Sequence, residues 1–576
     1  MAFMLKDFFL VIVFVLIIGG ILTFIFADNA KEYRYFGPII FNFHAFTYLG
    51  LLMGFSGLLA LFYNYKNMQL GFGIFLLSTS FLLKITIIYF VFDGHVNYDT
   101  PLHYLSALYL KNYGINSTIF SYHNWPLALI FIDELSMVTN SMYPLDTSLA
   151  AITSRYILFL TLYLLSFKLF NDRKLIYLTL IVLLIFEPFI LHFSPQIFAV
   201  AIYTLLVYSI AVKVVSNSQN RAPISNIVVI LILYTSLLMS HVIFPVSLAL
   251  IIASYYLTCK ISLKFSIYNR CNSNSLLYVL IFVLLGVLSY NTLITIFVTK
   301  NVLNIIKAMF AEEENLRLDV YGPSIQSPDM VWQYSMLRII SRIAVITLLL
   351  IPTLYMFYHI FYVIYIKGNK NDKKYDAFLA FVIGINAFLY LVSFIIQMGL
   401  MERLLQLAII FASISLPLSI QESLTLSKMR KALNGIFLYL ILFLILSIYV
   451  APAYQQIHWF FDNGEVFMAK WIANNISDNI IYLDGTDRLN QLIVLYAYPN
   501  RLYKFNLFIT FYTDESVVKN IDSYPQGTII TITGLAYIKN SFKYSLSDVI
   551  LKQYYDKLKH KIDMVYFDGI NTCLIR

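Results

Sequence analysis

The segment Phe92-Asp93-Gly94-His95-Val96-Asn97-Tyr98-Asp99-Thr100-Pro101-Leu102-His103 interrupts a long series of apolar segments, and the rest of the chain is organised around it. An apolar run over 69–92 ends there, and acidic and histidine side chains follow. Thr100-Pro101 is typical of a helix start, because proline is tolerated in the first turn, and Gly114 is typical of a helix end. The sequence therefore predicts a helix over 100–114, with Asp99 and His103 four residues apart on one face.

The composition indicates a membrane protein. The chain has 576 residues, of which 60% are hydrophobic and 12% are charged, and its mean hydropathy is +0.75. These values lie outside the range of soluble domains. The net charge of +9 does not indicate a nucleic-acid partner, because the basic residues are scattered among short loops and form no stripe. We therefore expect a polytopic membrane protein.

Apolar segments of spanning length recur along most of the chain, and the first is too long for the core of a signal peptide. The sequence predicts an all-α membrane domain over 1–452, with a first outer loop over 93–149. Its thirteen predicted spans lie near 8–26, 41–63, 70–92, 150–167, 175–192, 196–214, 226–240, 243–258, 275–298, 336–363, 376–399, 403–422 and 432–451. The apolar stretch over 227–257 is divided at His241, because basic residues flank both of its ends.

The distribution of charge predicts the orientation of the chain. With a cytoplasmic N-terminus, the inner loops hold most of the Lys and Arg, as positive-inside topology requires. The outer loops then hold most of the acids: Asp93, Asp99, Asp133, Glu134, Asp146, Glu187, Glu312, Glu313, Glu314, Asp319, Asp329 and Glu402. An odd number of spans places the C-terminal tail on the outer face as well.

The tail over 453–576 is more polar and alternates helical and strand patterns. Helices are predicted over 465–475, 487–496 and 546–559, and strands over 479–483, 528–533 and 564–567. This pattern predicts a small extracytoplasmic α/β domain. No glycine-rich phosphate loop follows any predicted strand, so the tail carries no sequence signal for a nucleotide site.

Two further groups of aromatic and histidine residues, outside the first segment, are candidates for the site. Tyr122, His123 and Trp125 precede an apolar helix and either anchor the chain at the membrane interface or shape a substrate site by stacking on a sugar. His241 lies within an apolar hairpin, where it either bonds to a neighbouring helix or binds a ligand. The sequence leaves both alternatives open for each of these features.

Charged residues at predicted outer helix ends form the second group of candidates. Glu187 lies in an outer turn, either as a solvated acid or as a ligand of a metal or an acceptor. Arg338, Arg342 and Arg403 either extend to lipid headgroups or clamp a phosphate, since a guanidinium group matches phosphate bidentately. A phosphorylated lipid that entered from the outer leaflet would meet these arginines.

Several of these features together resemble the glycosyltransferase C (GT-C) superfamily. They are an acid in the first outer loop with a glycine fifteen residues beyond it, here Asp99 and Gly114, and the later Tyr-x-x-Trp-Pro segment ending at Pro126. The Ser-Pro-Gln turn at Ser194, the helix break at His241 and the Ala-Lys-Trp-Ile helix over 469–472 are similar to archaeal and bacterial members with an exported tail. The resemblance spans most of the chain, although each motif is short.

This resemblance implies transfer of a sugar from a polyprenyl- or dolichyl-phosphate donor to a lipid-linked glycan, protein or lipid acceptor on the outer face. Asp99 matches the residue that acts as general base or positions the acceptor, and Asp93 is the alternative at that position. His103 and Glu187 complete the catalytic candidates. A divalent metal, Mg or Mn, would lie on Asp99 and Glu187, and the donor phosphate would lie near His241 and the three arginines.

Two features depart from the GT-C pattern. Two apolar spans precede the one that leads into the Asp99 loop, and no Trp-Trp-Asp segment occurs in the chain. The second feature argues against the catalytic subunit of an oligosaccharyltransferase and favours transfer of a monosaccharide. A flippase or transporter of lipid-linked saccharides and a non-catalytic GT-C-like scaffold are the alternatives.

Overall fold

The structure is a computed structural model in which part of the chain is described. The described residues are 71, 73, 77–78, 100–115, 121–170, 172–186, 195–215, 224–241, 243–264, 273–290, 374–395, 407, 410–411, 413–414, 417, 463–475, 482–484, 492–493, 495–496, 529–532, 563–567 and 572–575. The predicted spans near 8–26, 41–63, 336–363 and 432–451 lie outside them. Those near 70–92 and 403–422 are described only at isolated helical positions.

The first loop contains two helices and a short turn. Helix α1 covers Thr100–Tyr113, a 3₁₀ turn covers Ser121–Asn124, and helix α2 covers Leu127–Thr139. Helix α1 confirms the helix that the sequence predicts after Asp99. It packs against α2, so the loop is a helical layer at one end of the bundle.

Both loop helices end at a residue with a left-handed backbone conformation. Gly114 has φ +81°, and its backbone N–H donates to the Leu110 carbonyl at 2.9 Å, as a glycine terminator does. Asn140 ends α2 with φ 50°, a conformation that asparagine adopts more readily than most residues. The chain then turns through Met142 to Pro144, which precedes the next helix.

Seven long helices follow within the described residues. They are α3 Leu145–Leu169, α4 Arg173–Phe186, α5 Pro195–Ile210, α6 Ile224–Leu238, α7 Ile243–Lys264, α8 Ser273–Ser289 and α9 Lys374–Ile395. Each coincides with a predicted span to within a few residues at its described ends. The gap between α6 and α7 contains His241, so the division of that long apolar stretch is confirmed.

Two of the described helices have the length and apolarity needed to cross a membrane. Helix α3 and residues Ile243–Ile261 of α7 are each long and apolar enough to cross a bilayer, and four further apolar helices are shorter. One stripe of α3 is exposed at Leu145, Ile157, Leu160 and Leu164, at helical spacing. Apolar side chains on an unburied stripe of a spanning helix are those that face lipid.

Polar side chains join three of these helices inside the bundle. The Ser247 hydroxyl on α7 donates to Oδ1 of Asn386 on α9 at 2.8 Å, and Nδ2 of Asn386 donates to the Tyr203 hydroxyl on α5 at 3.2 Å. All three residues are buried. Because lipid tails give helices no hydrophobic reason to associate, such bonds fix which helices are neighbours.

The C-terminal region contains a helix and a small mixed sheet. Helix α10 covers Asn463–Asn475, and the strands are β1 Tyr482–Asp484, β2 Ile529–Ile532, β3 Asp563–Phe567 and β4 Thr572–Ile575. The strand order is β1-β2-β4-β3, with β1 and β2 parallel and the other pairs antiparallel. Strands β2 and β3 fall at the predicted positions, β1 shares only residues 482–483 with the strand predicted over 479–483, and β4 was not predicted.

Candidate functional site in the first loop

Helix α1 turns one side toward the interior of the protein. His103 is 1% exposed, and Tyr104, Ser106 and Ala107 on the same helix are buried as well. At the exposed side, Lys111 forms a 2.8 Å ion pair with Asp133 on α2. A surface pair of this kind contributes little stability, so the burial of the inner side is what fixes α1.

The 3₁₀ turn is attached to α1 through His123. Its Nε2 lies 3.0 Å from the Ser106 carbonyl oxygen, and since a carbonyl only accepts, Nε2 carries the proton. Burial lowers the pKa of His123 below its ordinary value. This histidine, predicted to shape a substrate site, therefore orders the loop as a neutral ring.

The loop meets the break between α6 and α7 at Trp125 and His241. The two rings stack with centroids 6.4 Å apart, and the Leu127 backbone N–H donates to the Met239 carbonyl at 3.2 Å. These contacts place the two sequence features at the same end of the bundle. We call this contact the Trp125–His241 junction.

The segment directly after α8 also contacts the first loop beside the Trp125–His241 junction. The Tyr290 hydroxyl, directly after α8, donates to the Asn124 carbonyl at 2.6 Å. The ends of α6 and α8 and the start of α7 therefore meet the first loop in one layer. Nothing in the sequence spacing connects residues 124, 241 and 290, which lie in separate segments.

The environment of His241 determines which of its nitrogens carries a proton. Nδ1 accepts the backbone N–H of Ile243 at 3.2 Å, so the proton of the neutral ring lies on Nε2. The side chain is 6% exposed and also packs on Phe244, with ring centroids 4.8 Å apart. Nε2 is thus a hydrogen-bond donor held at the junction.

A second polar cluster lies where α1, α2 and α3 meet. Asp146, in the first turn of α3, is 0% exposed, and Tyr104 and Tyr143 lie beside it with ring centroids 5.6 Å apart. Burial, followed by the charge of Asp146, raises the pKa of Tyr104 to about 12. Sequence analysis named Asp146 only as an outer acid, since an acid in a first helical turn is ordinary.

The C-terminal region reaches this second cluster. Burial raises the pKa of Tyr143 well above its ordinary value, and Tyr496 is the next largest influence on it. Lys470 on α10 lies over the Tyr496 ring at 5.1 Å from the centroid. Tyr496 of the tail therefore lies near Tyr143 of the first loop, and Lys470 packs on Tyr496 within the tail.

Most of the other predicted site residues lie outside the described part of the chain. They are Asp93, Asp99, Glu187, Arg338, Arg342 and Arg403, and the side chain of Tyr122 is also not described. The predicted metal ligands Asp99 and Glu187 are among them. Within the described residues, no group of three or more His, Cys, Asp or Glu side chains is arranged to hold a metal.

No protein-family description and no curated protein matches the sequence. Among solved structures, the Archaeoglobus fulgidus oligosaccharyltransferase with zinc and sulfate is similar, with a TM-score of 0.47 and 11% identity over 78% of this chain and 66% of that chain. This chain thus spans just under two thirds of that protein.

Two other similar structures carry a lipid phosphate. ArnT from Cupriavidus metallidurans, bound to undecaprenyl phosphate, has a TM-score of 0.43 and 11% identity over 86% of this chain and 97% of its own. The A. fulgidus oligosaccharyltransferase AglB with an inhibitory peptide and dolichol-phosphate has a TM-score of 0.44 and 11% identity over 82% of this chain and 70% of that chain. These proteins are GT-C glycosyltransferases, the superfamily that the sequence resembles.

Proposed function

We propose that the protein is a GT-C-type membrane glycosyltransferase that moves a sugar from a polyprenyl- or dolichyl-phosphate donor to an acceptor. The observation that carries the proposal is the meeting of helix α1 with the layer that contains the Trp125–His241 junction. Asp99 directly precedes Thr100, the first residue of α1. We propose that the Asp99 carboxylate acts at this layer.

In the proposed reaction, the carboxylate of Asp99 takes the proton of the acceptor hydroxyl while that oxygen bonds to the anomeric carbon. The bond from the anomeric carbon to the phosphate oxygen breaks, and the lipid phosphate leaves with the electron pair. Such a displacement needs a base beside the nucleophile and positive charge or hydrogen-bond donors at the leaving group. Asp93, His103 and Glu187 are the further catalytic candidates.

The donor phosphate is proposed to lie near His241, where Arg338, Arg342 and Arg403 would supply charge. The tautomer of His241 supports this role, because its Nε2–H is a donor and a phosphate oxygen is an acceptor. Trp125, stacked on His241, would then shape the site for the attached sugar. A divalent Mg or Mn ion on Asp99 and Glu187 would supply further positive charge for the substrates.

The arrangement in the cell is part of the proposal. The layer with the first loop would face the outside, the N-terminus the cytoplasm, and about thirteen helices over 1–452 would precede an extracytoplasmic α/β domain over 453–576. The acceptor would be a lipid-linked glycan, a protein or a lipid of the cell envelope.

A transporter of lipid-linked saccharides is the second candidate, and the polar groups inside the bundle are the observation in its favour. However, Tyr203, Ser247 and Asn386 bond to one another between helices, which is the arrangement expected of a fixed contact. A transport path requires polar groups that can exchange partners with the cargo. The transferase therefore accounts better for these contacts, and for the ordered first loop, than a transporter or a scaffold does.

The test is transfer of radiolabelled sugar by the purified full chain in lipid nanodiscs. A panel of polyprenyl-phosphate and polyprenyl-diphosphate sugars is offered with a membrane-lipid and glycoprotein extract, with and without Mg²⁺ or Mn²⁺. We expect the wild type to transfer label and Asp99→Asn to lose about 100-fold or more, because an amide cannot take the proton.

The matched control is Asp133→Asn, another first-loop acid, which pairs with Lys111 at the surface. It should keep wild-type activity. Full activity in Asp99→Asn would refute the assigned role of that residue. Movement of the carrier across vesicle membranes without any transfer would replace the transferase by a flippase.

A further inference from the structure

Four apolar side chains around the end of α2 are exposed, although they belong to the predicted first outer loop. Met137 and Val138 lie at the end of α2 and are 60% and 82% exposed, Met142 follows at 79%, and Leu145 opens α3 at 56%. Val138 and Met142 are the two most exposed large apolar side chains among the described residues. We call these four residues the first-loop patch. A patch of this kind marks a surface that contacts a membrane or another protein.

The exposed side of α2 is mostly apolar along its length. Ile130, Glu134, Met137 and Val138 are exposed and recur at spacings of three and four residues, so they share one face of the helix. Glu134 is the only charged residue among them. A helix face in contact with water is normally polar. The composition of this face therefore indicates an apolar neighbour.

The patch continues the lipid-facing stripe of α3, because Leu145 belongs to both. Phe167, near the other end of that stripe, is also exposed, and Lys168 follows it in the last turn of the helix. The distance along the helix from Leu145 to Phe167 is about 33 Å at 1.5 Å per residue, which matches a hydrocarbon core of roughly 30 Å. Leu145 therefore lies at the boundary of this core, on the side of the first loop.

We propose that the first-loop patch inserts into the bilayer leaflet nearest the first loop, at the level where headgroups meet acyl chains. At the other end of α2, the Leu127 backbone N–H bonds to the Met239 carbonyl. Helix α2 would therefore join the bilayer surface to the Trp125–His241 junction. A lipid phosphate bound at the junction would then come from the same leaflet, a step that rests on the proposed function, whereas the insertion itself does not.

The charge of the loop indicates which force holds the patch in the bilayer. Residues 121–149 contain Asp133, Glu134 and Asp146 but no Lys or Arg. Lys111 of α1 is paired with Asp133. Attraction to anionic headgroups requires clustered basic side chains, which this segment lacks. Burial of apolar surface is therefore the driving force, and insertion should not require anionic lipid.

The experiment identifies the neighbours of the patch by photocrosslinking. The photoreactive residue p-benzoylphenylalanine is placed singly at Val138 or Met142 of the full chain, which is irradiated in lipid nanodiscs and analysed by mass spectrometry. We expect both positions to gain the mass of one phospholipid, as Leu160 on the lipid-facing stripe should. Asn475, an exposed polar residue at the end of α10, is the matched control and should gain none.

A second comparison tests the driving force. Nanodiscs of phosphatidylcholine alone and nanodiscs with added phosphatidylglycerol should give the same yield of lipid adduct at Val138 to within about twofold, because no basic cluster is present. Both patch positions are exposed, so the probe displaces no packed side chain. The readout is a lipid adduct and not sugar transfer, so it stays informative if the proposed function fails.

Three results would overturn the inference. The first is the absence of lipid adducts at Val138 and Met142 in samples where Leu160 gives them, which would place the patch in water. The second is crosslinking to a second copy of the chain or to another segment of the same chain in place of lipid. The third is an adduct that forms only with phosphatidylglycerol, which would assign the contact to charge instead of apolar burial.

Discussion

The hydrogen bond between Ser247 and Asn386 provides a quantitative test of how the membrane helices are held together. The bond is 2.8 Å long, both residues are buried, and they lie 139 positions apart in sequence. Interhelical hydrogen bonds in membrane proteins contribute about 0.6 kcal/mol on average and at most about 1.7 kcal/mol. A short bond without access to water should lie in the upper part of that range.

We therefore predict a coupling free energy of about 1 kcal/mol between Ser247→Ala and Asn386→Ala in a double-mutant cycle. Asn386→Ala alone should cost about 1–3 kcal/mol, because it also removes the bond to Tyr203 and leaves a small cavity. The free energy of unfolding is measured for the purified protein by titration with sodium dodecyl sulfate in mixed micelles.

The control is Ser209→Ala, the same change at another buried serine, whose hydroxyl bonds to the Leu205 carbonyl within its own helix. Its effect should add to that of Asn386→Ala without coupling. A coupling within about 0.3 kcal/mol of zero for Ser247 and Asn386 would refute the reasoning, because independent sites add to about that accuracy.

Two further predictions concern a histidine and a glycine. Because burial lowers the pKa of His123, the unfolded chain takes up a proton below about pH 6.5 while the folded ring stays neutral, so stability falls as the pH falls through that range. His123→Gln should reduce that slope in melting curves recorded from pH 8 to 5, and an unchanged slope would contradict the assignment. Gly286→Ala should destabilise the protein by about 1–3 kcal/mol, because the added Cβ would lie 2.7 Å from the Tyr234 ring and 2.9 Å from Leu238. Gly71→Ala, with nothing within 4 Å of the added Cβ, is its control, and an equal loss in both variants would show that the cost is not one of packing.

Local chemistry explains the parts of the fold that could be predicted from the sequence. The helix over 100–113 begins at Thr100-Pro101 and ends at Gly114, and both signals act within one turn of the chain. The break at His241 was also predictable, because an apolar run too long for one span and flanked by basic residues has to turn back.

The candidate site was predictable only in part, since its residues come from separate segments. Trp125 and His241 were each recognised by local features, but nothing in either segment indicates that their rings stack. Asp146 was known as an outer acid, and nothing in its own segment indicates that it meets Tyr104 of helix α1. The roles of Asp99, Glu187 and the three arginines stay predictions.

The sequence by itself determined the membrane class, the ends of most described helices and the strands β2 and β3, because hydropathy, turn residues and periodicity act over short distances. The tertiary structure alone decided which polar groups meet. Ser247 bonds to Asn386, and Tyr290 reaches Asn124. Such contacts depend on helix packing, and packing is set by the combined shape of side chains far apart in the chain.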